Sequence, residues 1–342
     1  MSRTRLPEPQ AGATLRRVAE AAGVSVATAS RVLNNIPGKA TPETVRRVQA
    51  AAEQPTYRPL AAARRLRRGV AEMVALLAPN LANPTMAGMA AAIETALRPE
   101  GIGVVISDTH DQAALQDEAL AATRAMRPRA TVLLGAVASP GLAACRRAGE
   151  RLLFVARRCP GDAAAPFIGI DDRTAGAAVA HALREAGCRR LGVVHGPMFS
   201  SATADRVAGF VAAAGPRLAP ADLRGGSGLD HVRIGAEAAS SWLELGTVPD
   251  GLMCTSDLIG LAARRVLCDA RAALPVIWGF DGGPLNPWVA PWLSSVALPY
   301  EAIGLAVRDW VTDAEHGRAG TILPFSLQRG TGGHGMRVKP RR

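Results

Sequence analysis

The chain has 342 residues, 48% hydrophobic and 20% charged, with a formal net charge of +11. That length allows a small domain beside one large core or two medium ones, and no apolar run approaches the roughly 18 residues of a membrane span. The polar N-terminus has no apolar leader core, and the five cysteines (Cys145, Cys159, Cys188, Cys254 and Cys268) are odd in number and form no CxxC pair. This argues against a disulfide framework, and the cysteines are expected to be buried small hydrophobes in a cytoplasmic protein.

The charge is concentrated at the start. Residues 1–69 hold 13 Lys and Arg against 4 acids, which leaves about +2 for everything that follows. A cationic head on a near-neutral body is what phosphate neutralisation by the head alone requires. Residues 1–13, with two prolines and no periodicity, are expected to be a disordered basic tail. Leu15, Val18, Ala19 and Ala22 then fall at i, i+3, i+4 and i+7, the apolar face of a first helix, which Gly23 breaks. Ser25 is a good N-cap for a second helix, because its hydroxyl can accept from an orphan backbone N–H. Ala29, Val32 and Leu33 form that helix's inner face, and Val26, Ala27, Ser30, Arg31 and Asn34 point outward. Small outward side chains let a helix lie deep in the DNA major groove, where Arg31 and Asn34 can reach base edges or phosphates.

An ordinary helical hairpin with a solvated basic face would give the same short pattern. The next stretch separates the two. Thr41-Pro42-Glu43 is an N-cap with proline at the first helical position, and Val45, Val48 and Ala52 continue as a third apolar stripe. Three short helices within about 40 residues make a bundle of the size of DNA-reading modules. Residues 59–69, PLAAARRLRRG, have helical propensity but are too short to hold a helix alone. They are expected to order only when two copies pair on DNA; otherwise they are a solvated basic linker.

The ordered set Val18-Ala19, Ala22-Gly23-Val24-Ser25, Thr28, Ser30-Arg31-Val32-Leu33-Asn34, Thr41, Thr44-Val45-Arg46, Tyr57, Pro59 and Ala63-Arg64-Arg65-Leu66 resembles the LacI/GalR family of bacterial transcription regulators. The resemblance continues more loosely to about Gln328. It implies DNA contacts from Thr14, Ser25, Val26, Ala27, Thr28, Ser30, Arg31, Asn34, Tyr57, Arg64 and Leu66, with Leu66 wedging the minor groove and kinking the duplex. Three positions depart from the family's habit: Arg17 replaces a common Asp, Pro55 would end the third helix early, and Leu60 replaces an asparagine. The division expected is a tail at 1–13, a helix-turn-helix domain at 14–58, a hinge at 59–69 and an effector-binding and dimerisation core at 70–342.

From Met73 the pattern changes. Strands at 73–78, 103–107, 131–134 and 152–155 alternate with helices at 84–97, 112–126 and 142–148. A second series follows, with strands at 167–170, 191–195, 252–254 and 276–279 and helices at 174–186, 203–214, 232–245 and 258–269. Near-continuous apolar strands between helices predict parallel sheets covered on both faces, and two series predict two lobes. The fold class is then α + α/β. The resemblance implies a periplasmic-binding-protein-like type I core of two doubly wound sheets with a ligand cleft between the lobes.

Ligands of open α/β sheets bind beyond the carboxyl ends of the strands. The segments in those places carry the candidates that the resemblance implies. Asn83-Pro84 matches the start of the first core helix, and Thr85 and Met86 stand where an aromatic pair is usual. GPMFSSATADRVAGF carries an effector-binding arginine at Arg206, whose planar fork suits a carboxylate, a phosphate or vicinal hydroxyls; a helix-surface salt bridge is its other reading. Ser200 and Ala202 are expected to face the cleft. Thr255-Ser256-Asp257 and Gly279-Phe280-Asp281 match two aspartate-bearing strand ends, with Asp281 accepting from ligand hydroxyls and Asp257 either doing so or capping a helix. Arg157 falls where sugar binders are often acidic, and Gly282 and Ser256 replace a usual Asp and Asn, which shifts the expected effector toward an anionic or small one.

These readings predict a dimeric, possibly tetrameric, repressor-type regulator that binds pseudo-palindromic operator DNA under control of a carbohydrate or sugar-acid-like effector, with no cofactor, no metal and no membrane partner. Against an enzyme, no GxGxxG between strand and helix, no Walker loop, no GxSxG and no HExxH is present, and the six histidines are scattered. An exported sugar-binding protein would share the cleft but lack the basic bundle.

Overall fold

The computed structural model describes residues 15–33, 40–52, 73–313 and 320–331. The tail 1–13, Thr14, Asn34, Pro55, Tyr57 and the hinge 59–69 with Leu60, Arg64 and Leu66 lie outside the described residues. The chain divides into two compact units, Met1–Val70 and Ala71–Arg342.

In the first unit, α1 (Leu15–Ala21), α2 (Val26–Leu33) and α3 (Pro42–Ala52) follow the expected order. Their apolar stripes meet in a small core of Val18, Ala19, Ala22, Ala29, Val32 and Val48. Gly23 ends α1 at φ 63°, a left-handed conformation that costs glycine little. Both caps form: Ser25 Oγ accepts from the Thr28 N–H at 3.1 Å, and Thr41 Oγ1 from the Thr44 N–H at 3.3 Å. A core of alanines and valines is thin, so each cap carries a larger share of the unit's stability, about 1 kcal/mol for a residue of this type.

The second unit begins β1 (Met73–Ala78), α4 (Pro84–Leu97), β2 (Gly103–Asp108), α5 (Ala113–Met126), β3 (Thr131–Leu133), α6 (Pro140–Arg147), β4 (Leu152–Val155) and β5 (Phe167–Ile170). It continues α7 (Asp172–Glu185), β6 (Leu191–His195), α8 (Ser201–Ala214), β7 (Leu218–Gly225), α9 (His231–Glu244), β8 (Gly251–Cys254) and α10 (Asp257–Asp269). The last elements are β9 (Val276–Asp281), α11 (Asn286–Val289), β10 (Ser294–Ala297), α12 (Tyr300–Thr312), β11 (Thr321–Leu323) and β12 (Ser326–Gln328).

Two sheets result, in the orders β11-β5-β4-β3-β1-β2 and β12-β10-β9-β8-β6-β7. The pairings are parallel except β12, which runs antiparallel to β10 at the edge. Helices cover both faces, as parallel sheets require. The expectation that every strand is covered on both faces needs correcting at the edges: β1 is buried at all six positions, whereas β2 leaves Gly103, Val105 and Ile106 exposed. The second series also does not start where the sequence pattern suggests. Residues 167–170 pair with β4, Val155 opposite Ile168, so β5 belongs to the first lobe. The chain crosses to the second lobe after β5, returns between β10 and α12, where α12's Ile303, Val307 and Val311 pack with α4's Met89 and Ile93, and crosses again between β11 and β12.

One helix pair fixes the cleft. α7 and α8 meet through Gly176 and Gly209, and a Cβ on either would lie 2.0 Å from the Arg206 carbonyl oxygen or 1.9 Å from that of Arg173. Only glycine permits this approach, which brings the first turn of α7 against the middle of α8. Four cysteines are buried as expected, but Cys268 is exposed on α10, because it lies on that helix's outer face beside Arg265 and Asp269. Among the described residues no helix is long and apolar enough to cross a membrane, and no group of three or more His, Cys, Asp or Glu could hold a metal ion.

Candidate functional site

In the first unit, α2 turns Ala29 and Val32 inward and leaves Val26, Ala27 and Arg31 exposed, with Thr28 and Ser30 half-buried. Val26 is 46% exposed, an apolar side chain with no folding reason to face water. The Ser25 and Thr28 hydroxyls lie 2.9 Å apart and close the cap. The start of α2 therefore presents a smooth face of small side chains, with Arg31 as its cation. Arg17, Arg46 and Arg47 are exposed on the neighbouring helices, giving the unit a positive surface.

In the second unit, the ends of β1, β4, β6, β8 and β9 surround a cleft between the two lobes. Its free volume is about 60 Å³. Thr85, Met86, Arg157, Ser200, Ala202, Arg206, Ser256 and Asp281 all line it. Asp257 does not. Its carboxylate accepts from the Ser295 hydroxyl at 2.7 Å, the Asn286 amide at 2.7 Å and the Gly283 N–H at 3.1 Å, so it fastens the loop after β9 rather than facing a ligand. Nor does it cap α10, since Ser256 occupies the cap position. Ser200 lines the cleft and also caps α8, accepting from the Thr203 N–H at 3.4 Å.

Arg206 lines the cleft and is ion-paired within it. Its Nε donates to Asp172 Oδ1 at 2.7 Å and its Nη1 to the Thr255 carbonyl at 2.9 Å, with the guanidinium 4.3 Å above the Phe280 ring. The Nη2 donors have no bond to the protein among the described residues. Arg157 is also paired, its Nη1 donating to both Asp111 oxygens at 2.8 Å. The expectation of an anionic or small effector rested on Arg157, Gly282 and Ser256; Arg157 is paired with Asp111, and Arg206 faces Asp172, whose carboxyl burial pushes up while Arg206 pulls it down.

Two more groups bear on the charge. Burial first, and the Asp257 carboxylate second, push Asp281 up to about 8, while Arg206 opposes them. Near neutral pH Asp281 is mostly a protonated carboxyl that both donates and accepts. Its backbone is at φ 114°, a region side chains rarely adopt, and the Tyr300 hydroxyl donates to its carbonyl at 3.0 Å. Burial, then Arg157 and Arg206, lower His231 to about 4, so its ring is neutral; its Nδ1 lies 2.9 Å from Ser256 Oγ. The cleft thus offers a guanidinium edge, a neutral carboxyl, a neutral imidazole and hydroxyls, with little net charge.

Sequence reasoning missed His231, Asp172 and Asp111. His231 opens α9 after β7, an edge strand containing Pro220 that carries no apolar run. The placement rule of looking beyond strand ends would have reached it had β7 been read. Asp172 and Asp111 meet their arginines 34 and 46 residues away, a pairing no local pattern encodes.

Residues 14–59 match the family described as bacterial regulatory proteins, lacI family, and residues 71–272 match periplasmic binding proteins and sugar binding domain of LacI family. An uncharacterized HTH-type transcriptional regulator in the aml 5' region of Streptomyces limosus is 33% identical, over 88% of this chain and 89% of its own. The ribose operon repressor of Halalkalibacterium halodurans is 27% identical over 85% and 87% respectively. The crystal structure of the Lac repressor dimer bound to operator and the anti-inducer ONPF has the same fold, with a TM-score of 0.78 at 21% identity, covering 93% of this chain and 98% of that one.

Proposed function

The chain belongs to the LacI family of bacterial regulatory proteins, and from that premise we infer that it binds a pseudo-palindromic operator as a homodimer under the control of a small hydroxylated molecule held between the core lobes. As a family member it is a DNA-binding transcriptional regulator with an effector domain, not an enzyme. In the reading we propose, residues 14–58 read the major groove through Ser25, Val26, Ala27, Thr28, Ser30, Arg31 and Asn34, with Thr14 and Tyr57 as further DNA contacts. Residues 59–69 are the hinge, Leu66 the minor-groove wedge and Arg64 its neighbouring contact, and residues 70–342 bind effector and pair the subunits.

The observation that carries the effector's class is the internal charge balance of the cleft. Arg206 faces Asp172, Arg157 faces Asp111, and Asp281 and His231 are neutral near pH 7. Such a lining pairs with the hydroxyls of a neutral sugar or nucleoside, since an anion would meet no uncompensated cation. A bidentate contact from the Arg206 Nη2 edge to vicinal hydroxyls fits the same inference. The free volume of about 60 Å³ is too small for a hexose, so binding requires the lobes to part or their side chains to rearrange. The name of the Halalkalibacterium relative, a ribose operon repressor, supports the same class.

The test is a titration of genomic DNA fragments at several salt concentrations, with and without neutral sugars and nucleosides. Sequence-preferring binding that falls steeply with salt is expected, and Leu66→Ala should lose specific affinity and DNA bending far more than non-specific binding. Binding without sequence preference would contradict the regulator's operator reading, and an unchanged Leu66→Ala would end the wedge.

A further inference from the structure

Away from the cleft, at the edge of the first lobe where its strands begin, four arginines gather. Arg124 and Arg127 end α5, Arg129 precedes β3 and Arg151 precedes β4. The turn that holds them is fixed: Arg127 is left-handed at φ 49°, and the Arg129 N–H donates to the carbonyl of Met73, the first residue of β1, at 2.8 Å. Around it lies an open cavity of about 300 Å³ lined by Arg124, Arg127, Thr131, Glu150 and Arg151, at the lower end of the range for small-molecule pockets.

The charges here are not balanced as they are in the cleft. Arg124 is taken by Glu150 at 2.6 Å, but Arg127 and Arg129 have no carboxylate partner among the described residues. Arg151 is held against the C-terminal end of α12: it lies 4.6 Å from the Trp310 ring centroid and donates to the carbonyls of Val311 at 2.8 Å, of Asp313 at 3.1 Å and of Trp310. Its Nε–H is buried and has no partner. Burial, and next the nearby Arg129, pull Arg151 below the usual arginine range, with Asp313 opposing them. An unspent buried donor inside an excess of positive charge is costly until an anion arrives.

We propose that this cavity binds the phosphate group of a small phosphorylated metabolite, with Arg127 and Arg151, which line it, as its cationic contacts and Arg129, beside Arg151, adding positive charge. Several arginines in excess of their acids suit a dianionic phosphomonoester better than a single carboxylate, and guanidinium forks match phosphate oxygens in pairs. Glu150 tolerates the anion because Arg124 already holds it. The site lies at the opposite end of the first lobe's strands from the interlobe cleft, shares no lining residue with it and stands beside the first residue of β1, so it would be a second, independent ligand site on the regulator.

Isothermal titration of the full-length protein with inorganic phosphate and with a hexose 6-phosphate tests this. The expected result is saturable binding of both, weakened about tenfold or more in Arg127→Gln/Arg129→Gln and unchanged in Arg206→Ala. Both substituted arginines are at least partly exposed, so the double variant should melt at the wild-type temperature. Absence of saturable binding of either probe, binding indifferent to the double substitution, or binding lost in Arg206→Ala would each overturn the proposal. It would also fail if the double variant lost only DNA affinity while phosphate bound neither protein, since the arginines would then serve a nucleic-acid backbone.

Discussion

Asp281 combines a backbone at φ 114° with a buried carboxyl next to Asp257 and Arg206, and its location at the cleft explains why such a costly residue persists. Its pKa is raised from 3.8 to about 8 in the folded chain. Between those values the folded protein holds a proton that the unfolded chain has released, so stability falls as pH rises from about 4 to about 8. Asp281→Asn removes that titration. Its melting temperature should exceed the wild type's by a margin that grows with pH across this window, reaching an order of a few kcal/mol of stability above pH 8. A margin that stays constant with pH would mean that Asp281 is ionised in the folded protein. Single residues were also where the sequence was least readable. Arg206 could be picked from its segment, yet its partner Asp172 comes from a different helix, a pairing that no local pattern encodes.

At the scale of elements, β1, α4, β4, β5 and β6 lie where the apolar pattern predicts, because buried parallel strands are unbroken apolar runs and their helices carry clear caps. The exposed edges were not legible. β7 is an edge strand with Pro220 and mostly exposed side chains, and β10, β11 and β12 are three or four residues each. α12 is different: Ile303, Val307, Trp310 and Val311 have helical spacing and are buried, so its signal was present beyond the last strand assigned from sequence. The short α11 carries the largest surface anomaly, with Trp288 84% exposed beside Leu285 and Val289, each 64% exposed. On the proposed reading of a homodimer on a two-fold operator, this apolar cluster is assigned to the contact with the second copy of the chain. Trp288→Glu should convert a sedimenting dimer to monomer and weaken specific DNA binding by at least about tenfold, while leaving the melting transition of the monomer in place. A variant that still sediments as a dimer would move the interface elsewhere.

The whole molecule joins a cationic reading unit to a nearly neutral two-lobed core, and the charge distribution alone announced that division. What the sequence could not announce is which lobe owns β5, since a strand's sheet is chosen by pairing and not by its own pattern. The central claim is that occupancy of the interlobe cleft and grip on DNA are one linked equilibrium, in which each ligand changes the other's affinity by the same factor. The most direct measurement is operator affinity with and without a neutral sugar or nucleoside that binds the cleft, in the wild type and in Arg206→Ala. The account predicts a change of roughly 5- to 150-fold in the wild type and none in the variant, whose ligand-free operator affinity is unaltered. An equal change in both proteins, or none in the wild type at saturating ligand, would contradict it.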